Sequence, residues 1–575
     1  MIKKYIKSSL LLGAALLMGT GCTGDFEDIN TNPYQIPDSE VKMGDLFNEA
    51  QLSIFYNQSN GNWEYQLIQN LNADLYSGYL AIPTAFNGGN NNDNYFMMNG
   101  WNGYTLNYML LHVVKPMASV QKIENLADDF YAISEIMKVA GAHKMVDTYG
   151  PCPYTEAMQG GISVKYDSEE VCYTAFLNEL KDACDRLTKW IDANGGDDAS
   201  RLEWDKMCGS SQTTWLQFGN TLRLRLAMRL AVVKPELAKE HAVAAIQNKY
   251  GLLKNKDIEV KDANTRNPQA LIARDYNDCG ISANYETILK GYNDPRLEAT
   301  VQGVGWGGKG DIYRPDGTPA GMEGQIKGIR NGLKVDGSSY KMYSIVKCPA
   351  SGGPYSTDVP MPIMSRAESS FLEAEAALRG WTGGDVKALY EEGIRNSFAK
   401  YGFDATEYIN GETTQIDYED PHNPANNIDA VNLVPVKLLT SPSELKTVLK
   451  NNGYTDEEIE DLTAGVSLNE LQLQQIITQK WIAGFPEGLN AWAEYRRTGY
   501  PKLFPIPADN NNVQSEYLGG SADELTKIGI RRLPFSYDER SANPAGLAEG
   551  VAILSARGQK DAIDSRLWWD TGRNF

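Results

Sequence analysis

The sequence predicts a mainly α-helical fold, in which helix pairs stack into a tetratricopeptide-like superhelix that carries a long loop-rich region. Apolar residues recur at helical spacing through most of the chain, beginning with 41–56 and 63–80. The segment 365–399 has the length and the Ala, Leu and Tyr spacing of a helix–turn–helix repeat of about 34 residues. Between about 251 and 362, Gly, Pro, Asn and Asp become frequent and the helical periodicity fades, which indicates loops.

Further helices are predicted on both sides of the loop-rich insert. Ser168 is placed as an N-cap, because its hydroxyl can accept a hydrogen bond from the first turn of a helix. The candidates are 104–123, 129–149, 169–191, 212–233, 385–400, 468–481 and 489–497. Short strands are predicted at 312–313 and 341–346. We therefore predict one domain, 41–575, with a helical scaffold over 41–250 and 363–500 and an insert at about 251–362.

The N-terminus is typical of an exported lipoprotein. Three lysines precede an apolar run, Leu10 to Met18, that is about half as long as a bilayer-spanning helix. Gly19-Thr20-Gly21-Cys22 resembles a lipobox, although Gly19 stands where Leu is usual. We predict a lipoprotein signal peptide at 1–21 and a lipidated tether at 22–40, with Cys22 as the lipidated residue; the alternative is a plain cleaved signal with a spare Cys. The acids that follow Cys22 resemble the surface-export signal of Bacteroidetes lipoproteins.

Charge and cysteine spacing exclude several functions. The chain of 575 residues has 54 basic and 74 acidic residues, a net charge of −20, whereas nucleic-acid binding needs clustered Lys and Arg. No C-x-x-C pair and no His at metal-ligand spacing occur, so we predict no metal site and no cofactor. Asp and Asn residues in the predicted loops supply the oxygen ligands that Ca²⁺ prefers, so a structural Ca²⁺ remains an alternative. We expect mostly buried thiols and leave disulfide pairing open among Cys152, Cys172, Cys184, Cys208, Cys279 and Cys348.

Five segments in order carry a family resemblance. The stretch from Asp147 to Ala157 (DTYGPCPYTEA) resembles the D-x-Y-G-x-x-P-Y-x-E-A signature of the SusD/RagB family. Four further segments agree with that family in the right order, at 215–225, 367–381, 492–499 and 531–535. We interpret Arg223, Arg225, Arg496 and Arg497 in these segments as buried structural residues, and Asp147, Tyr149 and Glu156 as residues that fix a turn.

The resemblance implies both a fold and a function. SusD-like proteins are non-enzymatic lipoproteins, anchored on the cell-surface side of the outer membrane. Their fold is a tetratricopeptide-like superhelix with a loop-rich ligand-binding region. They capture oligosaccharides, in some branches peptides, and deliver them to a SusC-like TonB-dependent transporter. We therefore expect these partners, this location and no catalytic residues.

Aromatic residues cluster at 76–108, where eight occur among 33 residues around the run Asn87 to Asn94. We expect this run to form an exposed loop. Because sugars are bound by flat aromatic rings with amide and carboxylate partners, we predict a glycan platform here. Its members are Trp101, Tyr95, Tyr79 and Tyr76, with Asp93 and Asn94 as polar contacts. Tyr104 and Tyr108 are expected to face the core.

Two further clusters are candidates for ligand contact. Trp306 lies among glycines, which favours display at a loop tip, with packing against the scaffold as the alternative. Arg274 and Tyr276 belong to a third polar and aromatic cluster. Peptide binding, a surface glycosidase and a protein-only adaptor remain alternatives to glycan capture, since the abundant Asp and Glu residues leave a catalytic carboxylate pair open.

Overall fold

The computed structural model describes residues 42–55, 62–98, 100–159, 163–260, 267–347, 360–509 and 511–575. The chain divides into two compact units, Met1–Leu46 and Phe47–Phe575. In the first unit the described residues, 42–46, include the start of the helix Met43–Ser53. The predicted signal peptide, Cys22, the tether and Cys348 lie outside the described residues. The proposed domain 41–575 stays a prediction.

Helices dominate the second unit, which confirms the predicted fold class. Those that reach ten residues or more are Asp128–Tyr149, Glu169–Asn194, Gln212–Arg229, Pro235–Ile246, Arg366–Leu378, Val386–Lys400, Pro442–Asn451, Leu468–Gly484, Gly488–Thr498 and Pro544–Ala556. Shorter α-helices are Asn62–Tyr65, Asp74–Tyr76, Tyr104–Met109, Lys115–Gln121, Pro268–Ala270, Ala283–Gly291, Arg296–Thr300, Gly337–Tyr340, Asp456–Thr463, Ala522–Ile528 and Glu539–Ala542. Ser168 is the predicted N-cap, and its hydroxyl accepts from the backbone N–H of Val171 at 3.3 Å.

Two of the predicted helices contain wider turns. The predicted helix 63–80 is realised as Asn62–Tyr65, a π-helical Gln66–Ala73 and Asp74–Tyr76. The predicted helix 104–123 has a π-helical segment, Leu110–Val114, between its two α-helical parts. A third π-helical segment is Leu271–Tyr276. Single 3₁₀ turns lie at Phe86–Gly89, Asn92–Asn94, Ala199–Leu202, Trp306–Gly308, Tyr408–Asn410, Pro424–Asn426 and Ser515–Tyr517.

Consecutive helices pack against each other in pairs. In Glu169–Asn194 the buried residues, among them Cys172, Phe176 and Leu187, recur every three to four positions, so one face meets its neighbours. The pair Arg366–Leu378 and Val386–Lys400, predicted as a helix–turn–helix repeat, packs closely. A Cβ on Gly393 would lie 2.6 Å from Cε1 of Phe371, so the contact requires glycine. Helix pairs of this kind form the scaffold.

Short antiparallel strand pairs connect the loop-rich insert to the scaffold and join segments within the insert. Leu80–Ala81 pairs with Gly280–Ile281, and Ile258–Val260 pairs with Met361–Met364. Val301–Gln302 pairs with Ile345–Val346, which shortens the strand predicted at 341–346. The strand predicted at 312–313 is wrong, since Tyr313 forms an isolated bridge with Pro319. An apolar core in this region combines Ala81 of the scaffold with the insert residues Val304, Ile312, Ile329, Val335, Tyr340 and Tyr343.

Buried ion pairs join the segments that carry the family motifs. Arg225 donates from two nitrogens to Glu368 at 2.8 and 2.6 Å, and Arg497 donates to both oxygens of Glu375 at 2.7 Å. Arg496 donates to the carbonyl of Asp147 at 2.6 Å. These three arginines are structural, as predicted. Their partners lie more than a hundred residues away in sequence, so the pairs connect distant helices.

Arg223 and Glu156 differ from the other motif residues. Arg223 is buried, but its Nε is paired with Nδ1 of His241 at 2.9 Å and not with a carboxylate. Glu156 is exposed, whereas Asp147 and Tyr149 are buried. Burial acts to raise the pKa of Asp147, but the Arg229 charge and hydrogen bonds from His143 and Tyr173 outweigh it and lower that pKa to about 2.

The cysteines that the structure describes are buried. Cys152, Cys172, Cys184 and Cys208 are free thiols, as expected from the length of the chain. Burial raises the pKa of each of these thiols, so they are kept in the neutral form.

None of the helices in the described ranges combines the length and the apolar character that crossing a bilayer requires.

Candidate functional site

A groove with a volume of about 460 Å³ opens beside the short helix Tyr104–Met109. One wall is formed by residues from 98 and 100–112, and the other by residues from 534–538. The lining residues are Trp63, Glu64, Met98, Gly100, Asn102, Gly103, Tyr104, Asn107, Tyr108, Leu111, His112, Tyr517, Pro534, Phe535, Ser536, Tyr537 and Asp538. The groove therefore combines three distant parts of the chain.

Large apolar side chains in the groove are exposed to solvent. Trp63 is 49% exposed, Leu111 54% and Tyr537 71%. The Trp63 and Tyr104 rings meet edge to face, with centroids 5.2 Å apart and planes at 83°. Such contacts fix the orientation of the rings before a ligand arrives. Exposed rings at a concave surface are typical of a binding site.

Amide and carboxyl groups lie among these rings. Asn102 and Asn107 supply amides, and Glu64 and Asp538 supply carboxyl groups. Burial raises the pKa of Glu64, partly offset by its own backbone N–H and by His112. Burial also raises the pKa of Tyr104, and the charges of Asp538 and Glu64 add to that effect. The groove thus offers planar acceptors and donors next to aromatic faces.

The end of the helix Asp128–Tyr149 holds both walls of the groove. The Tyr149 hydroxyl donates to the carbonyl of Asn102 in one wall. The Thr148 carbonyl accepts from the N–H of Leu533 at 2.9 Å, and the Tyr149 carbonyl accepts from Nε of Arg532 at 2.9 Å, just before the other wall. These residues belong to the family signature, so the signature positions the groove.

Gly103 allows the two walls to touch. A Cβ at this position would lie 2.4 Å from Oγ of Ser536. A larger residue at position 103 would therefore force the Ser536 side chain or the wall that carries it to shift. The sequence predicts none of this contact, because the two segments are more than 400 residues apart.

Trp101 lies next to the groove. Its neighbours Gly100 and Asn102 line the groove, and its own side chain is partly exposed. The Trp101 ring meets Phe86 edge to face, with centroids 5.4 Å apart and planes at 88°. Its role as a ligand platform stays a prediction.

Tyr76, Tyr79 and Tyr95 are buried, so they cannot present a ring to a ligand in this structure. The Tyr79 hydroxyl donates a hydrogen bond to the carbonyl of Trp481, and the centroids of the two rings are 4.9 Å apart. Tyr76 packs against Trp492 at 5.3 Å. These rings fill the interface between the aromatic-rich segment and the C-terminal scaffold helices. Their burial contradicts the expected exposed platform. Tyr76 and Tyr79, three residues apart, pack on Trp492 and Trp481, and Tyr95 packs beside Tyr76.

The exposed loop predicted at Asn87 to Asn94 is exposed only at its start. Asn91 to Asn94 are buried, because their side chains bond to buried backbone and amide groups. Asn92 Nδ2 donates to the carbonyl of Leu71 at 3.0 Å, and Asn94 Nδ2 donates to the carbonyl of Gly89 at 2.6 Å. The expectation that Asn94 contacts a ligand is therefore not supported.

Asp93 is also internal. Its Oδ1 accepts from Nδ2 of Asn331 at 2.7 Å, and its Oδ2 accepts from the N–H of Gly332 at 3.3 Å. Burial raises the pKa of Asp93 to about 6 despite these bonds. The carboxyl group joins the aromatic-rich segment to the insert and does not face a ligand.

Trp306 is folded into the insert, which corrects the expected display at a loop tip. The side chain is 6% exposed, and its Nε1 donates to the carbonyl of Tyr343 at 2.8 Å. The ammonium of Lys309 lies 3.8 Å from the centre of the ring.

Arg274 and Tyr276 are exposed but do not line the groove, so their ligand contact stays a prediction.

Several groove residues were not among the predicted site residues. Trp63, Glu64, Tyr537 and Asp538 come from segments that contain no aromatic cluster. Tyr104, expected to face the core, lines the groove, and so does Tyr108, although its side chain is buried as expected. The one available signal was the position of Tyr537 and Asp538 directly after the motif at 531–535.

No cluster of three or more His, Cys, Asp or Glu suited to a metal ion occurs within the described ranges.

The fold and the groove define a class of protein in which a scaffold of paired helices carries an open groove lined by aromatic side chains. The chain belongs to the SusD-like family: the family model described as "Susd and RagB outer membrane lipoprotein" matches residues 28–570. This match confirms the resemblance carried by the motifs. Outer membrane, lipoprotein and carbohydrate binding are properties of this family.

Solved structures of SusD homologues share the fold. A chitin-binding SusD homologue from Flavobacterium johnsoniae is 36% identical, with a TM-score of 0.77, and the match covers 93% of this chain and 100% of the homologue. A homologue from Bacteroides vulgatus is 29% identical, with a TM-score of 0.77 and coverage of 92% and 98%. A homologue from Bacteroides uniformis is 28% identical, with a TM-score of 0.74 and coverage of 92% and 99%. No curated protein matches the chain.

Proposed function

We propose that this protein captures oligosaccharides at the cell surface and delivers them to a SusC-like TonB-dependent transporter in the outer membrane, to which it is anchored through a lipid on Cys22. The observation that carries the proposal is the groove, where exposed Trp63 and Tyr537 stand beside Asn102 and Asp538. Membership of an outer-membrane lipoprotein family supports the location.

The chemistry of the groove suits a sugar chain. Pyranose rings have apolar C–H faces, which pack on aromatic rings, and hydroxyl groups at their edges, which need hydrogen-bond partners. Trp63, Tyr104 and Tyr537 offer the rings, while the amides and carboxyl groups offer the partners. An open groove, in contrast to a closed cavity, admits the middle of a chain as well as its end.

The first ligands to test are N-acetylglucosamine oligosaccharides, because the 36%-identical homologue from Flavobacterium johnsoniae is a chitin-binding protein. Calorimetry with a panel of oligosaccharides and peptides tests the proposal. Binding of an oligosaccharide with a Kd in the micromolar to millimolar range supports it. Binding of peptides alone would favour the peptide-binding alternative, and binding of neither would leave a protein-only adaptor.

The transporter partner needs a separate test. Affinity purification of the tagged lipoprotein from outer membranes should recover a TonB-dependent transporter. The matched control is the Cys22→Ala variant, which lacks the proposed lipid attachment site. Loss of membrane association in that variant supports the anchor, and retention would contradict it.

A surface glycosidase is the second candidate, because Glu64 and Asp538 place two carboxyl groups in one groove. Glycosidases use such a pair as acid and base or nucleophile. We expect binding without cleavage. Incubation with the bound oligosaccharide, followed by detection of new reducing ends, separates the two functions. Release of sugars that is abolished in Glu64→Gln would favour the enzyme.

A further inference from the structure

The described lining of the groove has two acidic side chains and one histidine. Glu64 and Asp538 line it, and no Lys or Arg is among its described lining residues. Two basic groups lie in or beside the groove. His112 lines the groove, with its Nδ1 3.0 Å from Oε1 of Glu49, and Arg540 stacks over the Tyr537 ring at 5.4 Å from its centroid, outside the lining.

Both acidic residues are neighbours of groups that contact or adjoin Tyr104. Glu64 follows Trp63, whose ring meets the Tyr104 ring with centroids 5.2 Å apart. Oδ2 of Asp538 lies 4.0 Å from the position that a Cβ on Gly103 would take, and Gly103 directly precedes Tyr104. The charges of Asp538 and Glu64 both raise the pKa of the Tyr104 hydroxyl. A sugar packed on Tyr104 would therefore meet two negative groups.

We infer that the groove selects oligosaccharides with protonated amino groups over uncharged ones and rejects acidic ones, with Asp538 and Glu64 as the discriminating residues. A sugar ammonium can form charge-assisted hydrogen bonds to these carboxylates, whereas a sugar carboxylate is repelled. Uncharged sugars still bind through the aromatic rings. The inference rests on the proposed function and names the substrate class of the same site.

Three oligosaccharides of equal length test the inference: a glucosamine, an N-acetylglucosamine and a uronic-acid oligosaccharide. Titration calorimetry is done at a mildly acidic pH, where the sugar amines are protonated. We expect the glucosamine oligosaccharide to bind about three- to five-fold more tightly than the N-acetylated one, as for an exposed ion pair. The uronic-acid oligosaccharide should bind more weakly than both.

Asp538→Asn and Glu64→Gln are the diagnostic variants, since each removes a charge and keeps the shape. Each should reduce the ratio of the affinity for the amine to the affinity for the N-acetylated oligosaccharide toward unity, whatever its effect on the two affinities together. Glu457→Gln is the matched control, because Glu457 is an exposed carboxylate in the helix Asp456–Thr463 that does not line the groove. Thermal unfolding confirms that all three variants are folded.

The outcomes separate the inference from the proposed function. Binding of N-acetylglucosamine oligosaccharides without any preference for the amine overturns the inference and leaves the proposed function intact. A preference that persists in both groove variants would show that it comes from the net charge of the chain, and this also overturns the inference. Failure of every oligosaccharide in the panel to bind overturns both.

Discussion

The hydroxyl of Tyr149 donates a hydrogen bond to the backbone carbonyl of Asn102. Tyr149 belongs to the signature at the end of a scaffold helix, and Asn102 lines the groove. The same helix end binds the segment that leads into the opposite wall, through Thr148 and Leu533. The signature residues therefore position the backbone of both walls of the groove.

Tyr149→Phe should weaken oligosaccharide binding although Tyr149 does not line the groove. The change removes one buried hydrogen bond, so we expect a loss of about 1 kcal/mol in the free energy of unfolding. Tyr390→Phe is the matched control, because its hydroxyl also donates to a buried carbonyl, that of Val436, at 2.6 Å. Denaturant unfolding and calorimetry should show similar stability losses and weaker binding in Tyr149→Phe alone. Equal affinities in the two variants would contradict the positioning role.

Trp306→Phe should lower stability and leave ligand affinity unchanged. Phenylalanine cannot make the hydrogen bond from Nε1 to the Tyr343 carbonyl and leaves a small void, so we expect a loss of about 1–2 kcal/mol. Urea unfolding measures the loss, and titration with the bound oligosaccharide measures affinity. Weaker binding at unchanged stability would restore Trp306 as a ligand contact.

Gly393→Ala should destabilise the scaffold. The added methyl would lie 2.6 Å from Phe371, and overpacking of this kind costs about 1–3 kcal/mol. Gly383→Ala is the control, since its Cβ would meet no atom within 4 Å. Unfolding of both variants in urea tests the close packing of this helix pair. A Gly393→Ala protein as stable as the control would show that the pair is loosely packed.

Glu368→Gln should flatten the acid dependence of stability. Burial acts to raise the pKa of Glu368, but Arg225 and Lys480 outweigh it and lower the pKa from 4.5 to about 2. The ionised form therefore stabilises the fold above pH 4.5, and this contribution is lost as the pH falls to about 2. The variant breaks a buried pair, which costs about 3 kcal/mol at neutral pH. The two stability curves should converge as the pH falls through this window; parallel curves would contradict the pairing.

Local patterns in the sequence were sufficient for the scaffold and insufficient for the groove. Ser168, the periodic apolar residues of 169–191 and the motif arginines depend on near neighbours or on burial, and their predicted roles are confirmed. Aromatic density could not separate Tyr79, which packs in the core, from Trp63, which lines the groove. That distinction depends on which helix covers each ring, and the covering residues, such as Trp481, lie hundreds of positions away.

The polar run at Asn87 to Asn94 shows the same limit. Composition indicated an exposed loop, yet Asn92 and Asn94 find backbone carbonyls inside the protein. Asparagine supplies both donors and an acceptor, so it suits a buried turn as well as an exposed one. Asp93 accepts hydrogen bonds from Asn331 and Gly332 of the insert. The residues next to Asp93 in the sequence do not indicate these partners.

Titration of an N-acetylglucosamine oligosaccharide into the wild-type protein and Tyr537→Ala tests the groove most directly. Tyr537 is 71% exposed, so its removal should leave stability unchanged within about 0.5 kcal/mol. We expect the loss of one stacking face to weaken binding about five- to ten-fold. Phe575→Ala, which removes another half-exposed ring outside the groove, serves as the control. Equal affinity of the wild type and Tyr537→Ala would contradict the assignment of this groove as the glycan site.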